Sequence, residues 1–146
     1  MDDRVNSLLS AQRALRSRFD DFQRALRHEN RSAMDVALVD FEGHLRRWTV
    51  AEEEALVPAL QRAAIPGRDA RRELRLEYMQ LRELARFLMQ QLGEGIRSSH
   101  LAGFVDNLDR RLRAHEHEMA GVYYPAAAPQ LTADEWSVLE RARPAE

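Results

Sequence analysis

Gln12, Glu52, Tyr78 and His115 interrupt four otherwise apolar stripes. A carboxylate, a phenol, an imidazole and a carboxamide offer between them most of the hydrogen-bonding and metal-ligating chemistry that side chains possess. A polar group buried without a partner costs on the order of 1–3 kcal/mol. Residues of this kind within a helical seam therefore bind one another, or they bind something else. Gathered in one layer, they could form a register-fixing hydrogen-bond network or line a cofactor site.

The stripes that carry them have apolar residues at alternating steps of three and four. They run through Leu8, Gln12, Leu15, Phe19, Phe22 and Leu26; Met34, Leu38, Phe41, Leu45, Trp48, Glu52 and Ala55; Leu74, Tyr78, Leu81, Ala85, Leu88 and Leu92; and Leu101, Val105, Leu108, Leu112, His115, Met119 and Val122. This repeat is the seam of α-helices packed side by side. It predicts helices over about 5–28, 33–64, 69–92 and, after Ser98-Ser99, 100–122, with breaks at Asn30, Ile65-Pro66-Gly67 and Gly93-Glu94-Gly95. Pro58 should bend or interrupt the second helix near Glu54, and Tyr123-Tyr124-Pro125 should close the fourth. A capping box at Thr132 and Glu135, with Leu131 and Trp136 as its staple, starts a last helix to about Arg143, expected as a lid across one end.

Four long helices joined by short turns favour an all-α, antiparallel up-down-up-down four-helix bundle with a short C-terminal helix, a single domain over 1–146. Measured from the junctions at roughly 1.5 Å rise per residue, Gln12, Trp48, Glu52, Tyr78 and His115 fall within about one helical turn of a common height. They should meet in one core layer, nearer the end that carries both termini.

The composition narrows the function. With 146 residues, a 32% charged share and a net charge of −2, the chain matches a soluble helical protein. All 22 basic residues are Arg, dispersed among the acidic ones, so neither nucleic acid nor an anionic membrane is an expected partner. The absence of cysteine excludes disulfides, thiolate metal sites and Cys nucleophiles. MDDRVNSLL has no basic segment leading into an apolar run, and the expected location is the cytoplasm. There is no nucleophile–base pair, phosphate loop or zinc-protease motif, so no enzymatic activity is expected.

Two segments, AEEEALVPAL from Ala51 to Leu60 and AHEHEMAGVYYPAA from Ala114 to Ala127, resemble the hemerythrin-like proteins, also called the HHE cation-binding domain. In that family helices 2 and 4 each end in H-x-x-x-E-E-x-x-L-F-P. The resemblance extends to the Leu-rich first helix and the Leu-Thr-x-x-Glu-Trp start of the last. It implies a four-helix bundle with a di-iron core site held by histidines and carboxylates, and functions in dioxygen binding, iron handling or sensing of oxygen, redox state or nitric oxide. Carried over from Pro58, the family's helix 2 histidine falls on Trp48 and its glutamate on Glu52. Carried over from Pro125, the helix 4 histidine falls on His115 and its acidic partner on Met119. The histidines of helices 1 and 3 fall on Gln12 and Tyr78. Of the family's ligands only Glu52 and His115 are retained, which implies a degenerate site.

Two readings follow. In the first, no cofactor is bound; Glu52 accepts from His115, Tyr78 or Gln12, and the protein is a non-enzymatic binding or regulatory protein. In the second, Glu52, His115 and phenolate Tyr78 hold one iron, completed by Gln12 or water, and the protein senses oxygen or redox state. Trp48 and Met119 weigh against metal by occupying ligand positions. Among the other histidines, His44 is a boundary residue, His117 points to another face than His115, His28 lies near a helix C-terminus, where a cation is favoured, and His100 is solvated. A protein partner is possible, and no apolar stripe in the sequence is clear enough to predict a dimer.

Overall fold

The computed structural model describes residues 3–145; Met1, Asp2 and Glu146, included in the expected domain, lie outside the described residues. The chain is helical throughout, with no strand among the described residues. α1 (Asp3–Arg27) turns through Glu29, at φ 52°, into α2 (Arg31–Ala51). Asn30 caps α2, its side chain accepting from the Ala33 N–H at 3.1 Å. α3 (Val57–Ala63) continues α2 beyond a π-helical turn, and α4 (Ala70–Gly93) follows the Pro66-Gly67 break. Asp69 caps α4 rather than belonging to it. α5 (Ser98–Glu118), a second π turn, α6 (Tyr124–Ala127), a 3₁₀ turn over Ala128–Gln130 and α7 (Ala133–Ala142) complete the chain.

The two π turns have one cause. Pro58 and Pro125 lack an N–H, and each ring would crowd the carbonyl four residues back. The backbone widens over Glu52–Leu56 and Met119–Tyr123, where Val57 N–H reaches Glu52 O and Tyr124 N–H reaches Met119 O. Each proline then sits in the first turn of a resumed helix, where a missing N–H costs little. The expected interruption near Glu54 is therefore a π turn. The expected end at Tyr123-Tyr124-Pro125 is corrected: the helix passes through these residues and runs on to Ala127.

α1 packs on α2, α2 on α4, α4 on α5, and α5 closes on α1, around one continuous apolar cluster with residues from every long helix. Two arginines fasten this ring. Arg31 donates to the carbonyls of Ile96 at 2.7 Å and Leu92 at 3.0 Å, tying the start of α2 to the chain as it leaves α4. Arg16 of α1 donates to Asp109 at 2.6 Å and to Glu116 at 2.7 Å, both on α5.

α7 begins with the anticipated capping box, Thr132 and Glu135 bonding each other's backbone N–H. It does not cross an end as a lid. Val138, Arg141 and Ala142 lie beside Arg46, Val50 and Glu54, along the flank of α2 and its π turn. Arg4 holds its approach by donating to Leu131 O at 2.9 Å. No described helix is long and apolar enough to cross a membrane.

Candidate functional site

Glu52 opens the first π turn and Met119 the second, so both π turns start at the height of the polar layer. Such turns shift the residues that follow by one position relative to an unbroken helix. In the chain after Met119, Tyr123 and Tyr124 take the inward positions and Val122 is only half-buried, whereas an unbroken heptad expects Val122 there.

Gln12, Trp48, Glu52 and His115 border one internal cavity together with Thr49, Glu116 and Tyr124. Its volume is about 10 Å³, roughly the space of a single water. The Trp48 and Tyr124 side chains, both buried, supply much of the wall. Tyr78, also fully buried, packs edge-on against His115 with ring centroids 5.5 Å apart at 72°. Met119 is buried in its π turn but does not border the cavity.

The expected bonding within this layer is corrected on three counts. Nδ1 of His115 is hydrogen-bonded to Glu77 of α4, not to Glu52. The Gln12 amide donates to the Glu116 carbonyl at 3.0 Å, in the last turn of α5. Neither Glu52 oxygen has a partner at hydrogen-bond geometry, although the Tyr124 hydroxyl approaches closely enough to act on its charge, and the Tyr78 hydroxyl has none. Each of the three donors assigned to Glu52 from sequence is thus directed elsewhere or left unpaired.

The electrostatics follow. Burial pushes the Glu52 carboxyl up to about 7, with partial relief from His115 and from the nearby Tyr124 hydroxyl. Burial alone would depress His115, but the Glu77 hydrogen bond and the charges of Glu52, Glu77 and Glu116 outweigh it and raise its pKa. Tyr78 and Tyr124 are held protonated by burial and by the proximity of Glu52.

Glu77 is the member that heptad reasoning missed. It stands one residue from Tyr78, off the seam, and only the opposing helix α5 gives it a role. Its outer side lines a groove of about 750 Å³ between α4 and α5. Arg68 there pairs with Glu118 and, at 3.8 Å, with Glu73, which also accepts from the Tyr123 hydroxyl at 2.6 Å, while Arg111 donates to Gln80 at 3.1 Å. Of the other acidic residues beside Glu52, Glu53 pairs with Arg82 at 2.8 Å and Glu54 is exposed.

The remaining histidines contribute nothing to the layer. His44 lies at 3.4 Å from Asp40 on the flank of α2, and His28, His100 and His117 are exposed. Among the described residues no three His, Asp or Glu side chains gather closely enough to hold a metal ion. Paired iron does not fit this donor set or this volume. No family model, curated relative or solved structure matches the chain.

Proposed function

We propose that the chain is a single-domain, antiparallel four-helix bundle of hemerythrin-like type that carries no di-iron site and acts as a non-enzymatic binding or regulatory protein. The observation that carries this reading is the cavity of about 10 Å³ beside Glu52, closed by Trp48 and Tyr124. Two irons and their bridging ligands need far more room and several further imidazoles and carboxylates. His115 is the imidazole in this layer, and its Nδ1 is engaged with Glu77. The layer's role here is to fix helix register, at a stability cost that sits on Glu52.

One observation favours a second reading. Both Glu52 oxygens and the Tyr78 hydroxyl are buried and unpartnered, and unpaired buried oxygens are a common mark of a missing ligand. With His115 beside them, they are the right types to hold one ferric ion, which would supply redox chemistry to a sensor. Metal analysis and an optical spectrum of protein from iron-supplemented cells separate the readings. Metal-free protein supports the first. Stoichiometric iron that is lost in His115→Ala supports the second and overturns the first.

A further inference from the structure

On the outward face of α2 three exposed valines stand among Asp35, Asp40, Arg46 and Arg47. Met34, Leu38, Phe41, Leu45 and Trp48 occupy its buried side. On the opposite side Val36, Val39 and Val50 are 73%, 57% and 42% exposed. With Gly43 and Arg46 they succeed one another at steps of three and four residues, the repeat of a helix-pairing seam. Gly43 stands at the midpoint without a side chain. Gly43 is itself buried beneath Arg47: a Cβ there would meet only that guanidinium, at 3.4 Å, so a second helix comes close at this point once the arginine swings aside.

The seam is complementary to its own reverse. Turning α2 end for end about Gly43 sets Val36 against Val50, Val39 against the aliphatic stem of Arg47, and Asp40 against Arg46 and Arg47. Acidic residues Asp35, Asp40 and Glu42 precede the midpoint, and basic residues Arg46 and Arg47 follow it. A face built this way attracts an antiparallel copy of itself, the requirement for an isologous two-fold contact. These charges also keep partners within their own chain, Asp40 with His44 at 3.4 Å and Arg47 with His44 at 3.2 Å among them. Asp40 is 53% exposed while reaching Arg18 at 3.3 Å, and Arg46 approaches Glu42 only at 4.0 Å. Beyond Val50, a groove of about 480 Å³ opens between α2 and α7, where Arg46, Arg47 and Arg141 outnumber Glu54 around an apolar floor that includes Val50 and Val138. The reversed copy would bring its Asp35 and Val36 to this groove, an acid and an apolar side chain facing arginines and an apolar floor.

We propose that this face is a homodimer interface, in which two copies of the chain pack antiparallel along Val36, Val39, Gly43 and Val50. A seam of this length is smaller than an obligate interface, so association is reversible and depends on concentration. Sedimentation velocity from micromolar to millimolar chain tests it. The wild type should show a monomer–dimer equilibrium. Val36 lies outside the core cluster, so Val36→Glu should keep the helicity and melting temperature while weakening association at least about tenfold. Adding Val50→Lys to Val36→Glu places opposite charges together twice across the two-fold and should restore dimers. A wild type monomeric throughout, a dimer indifferent to Val36→Glu, or a double variant no tighter than the single would each overturn the proposal.

Discussion

Glu77 accepts a hydrogen bond from Nδ1 of His115, and the same imidazole borders the cavity that holds Glu52. An ionised carboxylate only accepts, so this contact places a proton on Nδ1 and orients the ring. It joins a groove on the outside of the α4–α5 pair to the most heavily buried carboxyl of the described chain. Glu77→Gln keeps a possible hydrogen bond but removes the charge. The His115 pKa, read from an NMR titration of its ring protons, should fall. An unchanged value would show that Glu77 does not hold the imidazolium.

The pH dependence of stability has a definite sign. In the folded chain Glu52 keeps its proton up to about 7, against 4.5 for an ordinary glutamate. Within that window the folded state binds the extra proton, so the Glu52 contribution to stability falls as pH rises and is spent above about 7. His115 acts in the same direction: its contribution is complete below 6.5 and is lost as pH rises through its higher folded value. Glu52→Gln should raise the melting temperature at pH 8 and flatten its decline across the window. An equal decline in wild type and variant would remove Glu52 as its source.

Arg16 is the main polar tie between α1 and α5, where it reaches Asp109 at 2.6 Å and Glu116 at 2.7 Å. Against the cost of burial, Arg16 and Arg113 hold Asp109 below the ordinary aspartate value. All three members of the tie are largely covered, with side chains 14%, 20% and 19% exposed. Removing the guanidinium leaves two such carboxylates facing each other. Arg16→Ala should cost roughly 1.5–3 kcal/mol in chemical denaturation. A loss within a few tenths of a kcal/mol would mean that solvent replaces the tie.

The long helices were legible because burial follows their stripes closely; α2 and α4 start within two residues of the expected bounds, and Thr132 caps α7 where its capping box was read. Polar residues at one height were legible from the same spacing, and Gln12, Trp48, Glu52 and His115 do share a cavity. What the spacing could not reveal is the hydrogen bonding. The partner of His115, Glu77, comes from a neighbouring helix and lies off the stripe. The Gln12 amide serves a backbone carbonyl, which no residue type announces. Tyr124 enters the layer because a π turn displaces the register before Pro125, and a strict heptad count has no place for that extra residue. The exposed valines of α2 were hidden for a similar reason, since they lie among buried apolar residues in sequence and separate from them only by helical phase.

The central proposal is that the layer around Glu52 and His115 binds no iron, being too small and too poor in ligands for the paired site that the resemblance implies. The most direct test is thermal unfolding of metal-free protein titrated anaerobically with ferrous iron. A metal that binds only the folded chain raises the melting temperature in proportion to the logarithm of its concentration above Kd. The account predicts a melting temperature that does not move, in the wild type and in Glu52→Gln alike. A saturable rise at iron stoichiometric with the chain, abolished by Glu52→Gln, would contradict it.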